Sequence, residues 1–143
     1  MKHKNFVIIT SINSPNEVIN QWNNLKDVQL IVIGDKKSPT EWNVDGVKYF
    51  GVQDQNNLKY SIMDNLPYNH YCRKMLGYLI AIENGADYIV DTDDDNFPKK
   101  NWNLLDFTGN FDTINENSDF VNIYRYFTNK FIWPRGFPLD LIK

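Results

Sequence analysis

The residues of this chain that are best suited to chemistry form a short acidic stretch, Asp91-Thr92-Asp93-Asp94-Asp95-Asn96. Four carboxylates within five positions repel one another, which is costly unless a cation or solvent compensates their charge. Hard oxygen ligands of this kind suit Mg²⁺ or Mn²⁺, ions that bridge protein carboxylates to a diphosphate. The alternative interpretation is a solvated acidic turn. We favour the metal site and predict Asp93 and Asp95 as its ligands.

The spacing of the four acids assigns them different roles. Alternating residues of an extended segment point to opposite sides, so Asp93 and Asp95 are expected to face one cleft together. Asp95 is the first choice for direct metal contact, and Asp94 is expected to be less critical. Asp91 belongs to the end of the preceding strand, which favours a structural role for it.

Apolar runs predict the strands that position this stretch. They are rich in β-branched and aromatic residues, as in strands buried on both faces of a parallel sheet. We predict strands near residues 6–10, 30–34, 47–50 and 88–91, and a fifth at 120–124. Helical patterns between them indicate an α/β fold, Rossmann-like with a mostly parallel sheet. In such sheets ligands bind outside the carboxyl ends of the strands, where the acidic stretch begins.

Two helices are expected between these strands. Ser14 can cap the first helix, with Pro15 at its first position and Glu17 completing a capping box. The second helix is predicted over residues 69–84, where apolar side chains recur at helical spacing. No linker-like composition interrupts the chain, so we predict a single domain over residues 1–143.

Three families place acidic residues in such a pattern. An EF-hand loop is excluded, because it needs Gly and Glu at the positions where Asn96 and Trp102 stand. Haloacid-dehalogenase-like phosphatases carry an Asp-x-Asp on their first strand, whereas Asp91-Thr92-Asp93 follows the fourth. The Asp-x-Asp of GT-A glycosyltransferases follows the fourth strand of a Rossmann-like half, which is the position of Asp93-Asp94-Asp95. The stretch therefore favours a glycosyltransferase and leaves the phosphatase open.

Further segments, in the same order along the chain, resemble the STELLO-type glycosyltransferase family, whose fold is related to that of GT-A enzymes. The triple Asp is also similar to that of the reversibly glycosylated polypeptides, the plant arabinopyranose mutases. The segments are Ile9-Thr10-Ser11-Ile12-Asn13-Ser14-Pro15, Val32-Ile33-Gly34-Asp35-Lys36-Lys37, Pro67-Tyr68-Asn69-His70-Tyr71-Cys72-Arg73-Lys74 with Gly77-Tyr78, Asp93-Asp94-Asp95-Asn96, and Trp133-Pro134-Arg135-Gly136-Phe137-Pro138-Leu139.

This resemblance implies a metal-dependent glycosyltransferase of GT-A type. Its donor would be a nucleoside-diphosphate sugar, with UDP as the expected nucleotide and Mn²⁺ or Mg²⁺ as the cofactor. Family members are longer than this chain, so we expect it to hold the donor-binding half and to lack a full acceptor-binding half. A non-catalytic nucleotide-sugar-binding module is therefore the alternative. The catalytic base, the sugar and the stereochemical outcome are not identified by the sequence.

The resemblance also implies roles for individual residues. Asp35, at the end of the second strand, would accept a hydrogen bond from the uracil imide N–H, unless it is a surface turn residue. Arg73 and Lys74 would bring positive charge to the diphosphate, and ordinary solvated helix residues are the alternative. Asp93 would bind either the metal or the ribose. The full set predicted to bind the nucleotide sugar is Thr10, Ser11, Asn13, Asp35, Arg73, Lys74, Asp93 and Asp94.

The last of the segments that carry the resemblance has three interpretations. Trp133 and Arg135 either contact the acceptor, or close over the donor as a lid, or belong to a structural corner held by Pro134.

Composition bounds the remaining properties. The formal net charge of −3 argues against a nucleic-acid partner, which would favour a basic excess. The N-terminal apolar run is too short for a signal peptide or membrane span, so we expect a cytoplasmic protein without a membrane segment. The single cysteine, Cys72, excludes an intramolecular disulfide. The acceptor and the oligomeric state stay open.

Overall fold

The computed structural model describes residues 5–104, 108–114 and 119–142. The chain divides into two compact units, Met1–Asn103 and Leu104–Lys143, and each is described by itself. The predicted grouping of residues 1–143 into one domain stays a prediction. No helix within the described ranges is long and apolar enough to cross a membrane.

The first unit is built on a four-stranded parallel sheet. Its strands are β1 (Asn5–Thr10), β2 (Val28–Ile33), β3 (Lys48–Phe50) and β4 (Tyr88–Asp91), in the spatial order β3-β2-β1-β4. All three neighbouring pairs run parallel. The four strands predicted for this region and their parallel arrangement are confirmed, and so is the α/β, Rossmann-like fold class.

Both faces of the sheet are covered, which explains why the central strands are continuously apolar. On one face Val7 and Ile9 of β1 pack with α1 (Glu17–Asn23). On the other face Phe6 and Ile8 pack with α3 (Lys74–Glu83). Alternate residues of one strand therefore serve two separate cores, as strand geometry requires. A short α2 (Val52–Asn56) follows β3, and 3₁₀ turns cover Met63–Asn65 and Tyr71–Arg73.

Helix α3 lies so close to the sheet that it needs a glycine at its contact point. A Cβ atom added to Gly77 would lie 2.4 Å from Cγ2 of Ile8, which is closer than side chains pack. The same helix carries Lys74 at its first position. Close packing at Gly77 therefore also fixes the end of α3 that points to the carboxyl edge of the sheet.

Two helix starts differ from the prediction. Helix α1 begins at Glu17 and is capped by Asn16, whose side-chain oxygen accepts from the Ile19 N–H at 3.1 Å, so Ser14 is not the cap. The predicted helix over residues 69–84 is shorter, since α3 begins at Lys74 after the 3₁₀ turn. Asn69 has a φ of 53°, in the left-handed region, which is incompatible with a regular helix at that position.

The second unit contains 3₁₀ turns at Ile123–Tyr126 and Leu139–Leu141. The strand predicted at 120–124 is wrong. Asn122 accepts from the Tyr124 N–H through its side chain at 3.2 Å and donates to the Ile132 carbonyl at 2.9 Å. Short polar side chains of this type divert the backbone into turns, which an apolar run alone does not reveal.

Candidate functional site

The carboxyl ends of β1 and β2 open on a cavity of about 410 Å³. That volume lies in the range of small-molecule sites, and its position is where open parallel sheets bind ligands. Its walls come from the turns after β1, β2 and β4 and from the segment before α3. They are formed by Thr10, Ser11, Ile12, Asn13, Ile33, Asp35, Lys37, Asn69, His70, Tyr71, Arg73 and Asp94.

Asp94 ties the acidic turn to the turn after β1. Its Oδ2 accepts from Ser11 Oγ at 2.5 Å and from Asn13 Nδ2 at 2.9 Å. Its backbone carbonyl accepts from Asn16 Nδ2 at 2.9 Å. These bonds bring together three of the residues predicted to bind the nucleotide sugar. They place the Asp94 carboxylate in the cavity wall.

The acidic stretch is not extended, so the predicted alternation of its side chains between two sides does not apply. The Asn96 N–H donates to the Asp93 carbonyl at 3.3 Å, and Asp94 and Asp95 lie in the resulting turn rather than in an extended segment. Of the three consecutive acids, Asp94 lines the cavity, while Asp93 and Asp95 are exposed. The carboxylate that reaches the cavity wall is therefore that of Asp94, which the alternating pattern had placed on the opposite side from Asp93 and Asp95.

Lys74 joins the start of α3 to the acidic turn. Its Nζ donates to Asp91 Oδ1 at 2.6 Å, to the Thr92 carbonyl at 2.9 Å and to Asp93 Oδ1 at 2.9 Å. An ammonium has three N–H donors, so all of them are used within the protein. Burial alone would lower the pKa of Lys74, but the bonds and charges of Asp91 and Asp93 outweigh it and raise the pKa above its ordinary value.

Asp91 is held from two sides. It accepts a hydrogen bond from Tyr78 Oη as well as from Lys74. Burial would raise the pKa of Asp91, but these two bonds outweigh it and the pKa is lowered. Burial, together with the bond to Asp91, raises the pKa of Tyr78. This geometry agrees with the structural role expected for Asp91.

Asp35 lies in the cavity wall at the end of β2 and is 9% exposed. Its Oδ1 accepts from the Lys36 N–H at 2.7 Å, and its Oδ2 accepts from the His70 N–H at 3.4 Å. Ser38 Oγ accepts from the Asp35 N–H at 2.8 Å and donates to the Ser11 carbonyl at 2.7 Å. The turn after β2 is thereby fixed to the turn after β1.

Arg73 is buried beneath the cavity with 1% of its surface exposed. Its Nε and Nη2 donate to Gln55 Oε1 at 2.9 and 2.5 Å, and its Nη1 donates to the Leu66 carbonyl at 3.1 Å. In the described part of the chain no carboxylate oxygen lies within 4.0 Å of its guanidinium. The Tyr68 ring also lies against the guanidinium, with its centroid 4.3 Å from Cζ, so neutral oxygens and an aromatic face surround the positive charge that Arg73 places under the cavity. Direct phosphate contact by this side chain stays a prediction.

Several wall residues were not predicted from the sequence. The rings of His70 and Tyr71 are stacked with centroids 4.6 Å apart, and Tyr71 is 78% exposed. The imidazole is fixed because His70 Nδ1 accepts from the Cys72 N–H at 3.1 Å. A sequence signal existed, since this pair directly precedes Arg73 and Lys74, but an exposed aromatic is common on any surface.

The side chains near the acidic turn determine whether it can bind a metal ion. Among the residues that the structure describes, no group of three or more His, Cys, Asp or Glu side chains is arranged to hold an ion. One carboxylate oxygen of Asp93 accepts a hydrogen bond from Lys74. The carboxylate of Asp95 is exposed and accepts no hydrogen bond from the residues that the structure describes. Mg²⁺ and Mn²⁺ sites in nucleotide enzymes need only one or two carboxylates plus phosphate oxygens and water. The chemistry of Asp93 and Asp95 fits that smaller set.

The remaining predicted residues, Trp133 and Arg135, belong to the second unit. Both are exposed, and the Trp133 ring meets the Phe131 ring edge-on with centroids 5.4 Å apart. Trp133, but not Arg135, lines a small cavity whose walls are formed by Asn122, Arg125, Lys130, Phe131, Ile132, Trp133, Leu141 and Ile142. The proposed lid or acceptor role stays a prediction.

The chain is an α/β protein with a parallel, Rossmann-like sheet and a cavity at the carboxyl edge of that sheet, where open parallel sheets bind ligands. No family model matches the chain. It is 31% identical over 149 residues to the Probable glycosyltransferase STELLO2 of Arabidopsis thaliana, and 30% identical over 148 residues to the Probable glycosyltransferase STELLO1 of the same plant. Each match covers 94% of this chain and 19% of the relative's length. The chain is thus related in sequence to the STELLO-type glycosyltransferase family, which confirms the predicted resemblance.

Proposed function

We propose that this chain is a glycosyltransferase of GT-A type, or the donor-binding portion of one, and that its cavity binds a UDP-sugar. The observation that carries the proposal is the convergence of polar side chains from three strand ends on one cavity. Ser11 follows β1, Asp35 follows β2 and Asp94 follows β4, and all three line it. The names of the two relatives support transfer of a sugar at the level of the family.

The wall offers recognition groups for a nucleoside. The Asp35 carboxylate is an acceptor that suits the imide N–H of uracil, and cytosine lacks that donor. The exposed face of Tyr71 offers a surface on which a planar base can stack. Ser11 and Asn13 supply short polar groups that suit ribose hydroxyls. The wall would therefore offer a base an edge contact at Asp35 and a face contact at Tyr71.

The diphosphate would be stabilised by charge. Arg73 contributes a buried positive charge at the cavity floor, where the low dielectric strengthens its field. Asp93 and Asp95 would hold Mn²⁺ or Mg²⁺, which when bound neutralises the nucleoside diphosphate as it leaves the anomeric carbon. Lys74, whose donors are all used by the acidic turn, contributes by fixing Asp93.

Turnover of sugar nucleotides tests the proposal. The chain is incubated with Mn²⁺ and a panel of UDP-, GDP- and CDP-sugars, and release of the nucleoside diphosphate is measured. The proposal expects release from UDP-sugars that EDTA abolishes. Binding of UDP-sugars without release would identify the non-catalytic module instead. Phosphate release from simple esters, with no response to sugar nucleotides, would contradict both and favour the phosphatase.

A further inference from the structure

The position of Lys74 resembles that of a bound cation. Its ammonium lies among two carboxylate oxygens and one backbone carbonyl, from Asp91, Asp93 and Thr92, at 2.6 to 2.9 Å. Its side chain is 10% exposed, whereas the Asp91 and Asp93 side chains are 57% and 63% exposed. The positive charge is thus supplied from the protein interior to a group of oxygens that solvent reaches from outside.

We propose that Lys74 is a positioning residue that acts as the resident cation of the acidic turn and excludes a divalent ion from the Asp91–Thr92–Asp93 oxygens. One oxygen of Asp93 is used by Lys74, so its second oxygen and the carboxylate of Asp95 are left for the metal that accompanies the nucleotide. This inference rests on the proposed function in one respect, since it takes Asp93 to be a ligand of that metal. It deepens the proposal by stating what limits the turn to a single divalent ion.

The physical reason is charge balance. The four acids of the turn carry four negative charges, and Lys74 pairs with two of them. Without the ammonium, the same three oxygens are hard ligands on adjacent residues, which is a donor set that divalent cations accept. Substitution by Met keeps the stem of the side chain but ends where the ammonium begins. The vacated position then stays open to solvent through the exposed carboxylates.

The test counts bound Mn²⁺ without nucleotide by electron paramagnetic resonance of the free ion. Lys74→Met is expected to bind one more Mn²⁺ per chain than the wild type. The double variant Lys74→Met, Asp91→Asn is expected to bind as many Mn²⁺ ions as the wild type, because the Asp91→Asn substitution removes one of the negative charges of the vacated site. Lys100→Met is the matched control, since Lys100 is exposed and lies near the turn in sequence without an ion pair to it in the described residues.

An unchanged count for folded Lys74→Met would overturn the proposal, and so would an equal gain in Lys100→Met, which would indicate a general effect of charge. If Lys74→Met does not fold, a nuclear magnetic resonance measurement on the wild type replaces the Mn²⁺ count. The ¹⁵N-detected signal of the Lys74 ammonium is identified by its loss in Lys74→Arg. Retention of that signal in the presence of Mg²⁺ and UDP supports the proposal, and its displacement contradicts it. The Mn²⁺ count needs no turnover, so a failure of the proposed transferase activity is distinguishable from a failure here.

Discussion

The Oγ of Ser11 donates a 2.5 Å hydrogen bond to Oδ2 of Asp94, and so joins the turn after β1 to the turn after β4 across 83 positions of sequence. The two strands are neighbours in the sheet. This bond fixes the acidic turn at the cavity wall, so the positions of its carboxylates depend on a residue of the first strand end.

Ser11→Ala is therefore expected to weaken nucleotide binding while leaving the fold intact. A hydrogen bond to a charged group contributes about 1.5–3 kcal/mol, so we expect a loss of roughly tenfold or more in UDP affinity in the presence of Mn²⁺. Titration calorimetry measures it. Ser14→Ala is the matched control, because Ser14 is exposed and lies outside the cavity wall. An unchanged affinity in Ser11→Ala would show that the bond does not position the site.

Particular residues show how far the sequence determined this picture. The two central strands, β1 and β2, were predictable because continuous runs rich in β-branched residues suit burial on two faces. The edge strands β3 and β4 followed from shorter apolar runs, and the acidic turn followed from its place after β4. The orientation of Asp94 was not predictable, because a single backbone bond from Asn96 to Asp93 replaces the extended geometry that alternation assumes. The burial of Arg73 depends on Gln55 and on the Leu66 carbonyl, 18 and 7 positions earlier in the chain, and neither residue has a charge that would signal the contact.

Substitutions of different acids in the turn should have different effects on metal-dependent UDP binding. Asp95→Asn keeps the shape and removes the charge of an exposed carboxylate, so we expect metal-dependent UDP affinity to fall at least about tenfold, roughly 1.4 kcal/mol. Asp91→Asn should matter less, because Asp91 is engaged by Lys74 and Tyr78. Mn²⁺ and UDP titrations of both variants measure the difference. Loss of metal binding in Asp91→Asn alone would move the phosphatase interpretation ahead.

Tyr71 should contribute to recognition of the base and not of the diphosphate. Base stacking on an aromatic ring contributes about 1–3 kcal/mol, so Tyr71→Ala is expected to lower UDP affinity by roughly fivefold or more. Tyr71→Phe should retain it, because the ring face is kept. Inorganic pyrophosphate is the ligand control and should bind all three forms equally. A parallel loss for UDP and pyrophosphate would assign Tyr71 a structural role instead.

Gly77 should be needed for the packing of α3 on β1. Replacing a helical Gly by Ala ordinarily stabilises a protein by up to about 1 kcal/mol. Here the added Cβ would lie 2.4 Å from Ile8 Cγ2, so Gly77→Ala is expected to destabilise the fold by about 1–3 kcal/mol. Urea denaturation measures the free energy of unfolding. Ile82→Ala, at a position on the same helix that is 61% exposed, serves as the control with a small effect. A stabilised Gly77→Ala variant would contradict the close approach of helix and sheet.

The most direct test of the central claim is a calorimetric titration of UDP into the wild-type chain, with Mn²⁺ and again with EDTA. If the cavity at the carboxyl edge binds a nucleoside diphosphate whose metal is shared with Asp93 and Asp95, one UDP binds per chain, and its affinity falls at least about tenfold when the metal is removed. The absence of UDP binding in Mn²⁺ would contradict the assignment of the cavity. Equal affinity in the two conditions would contradict the metal bridge between the acidic turn and the diphosphate.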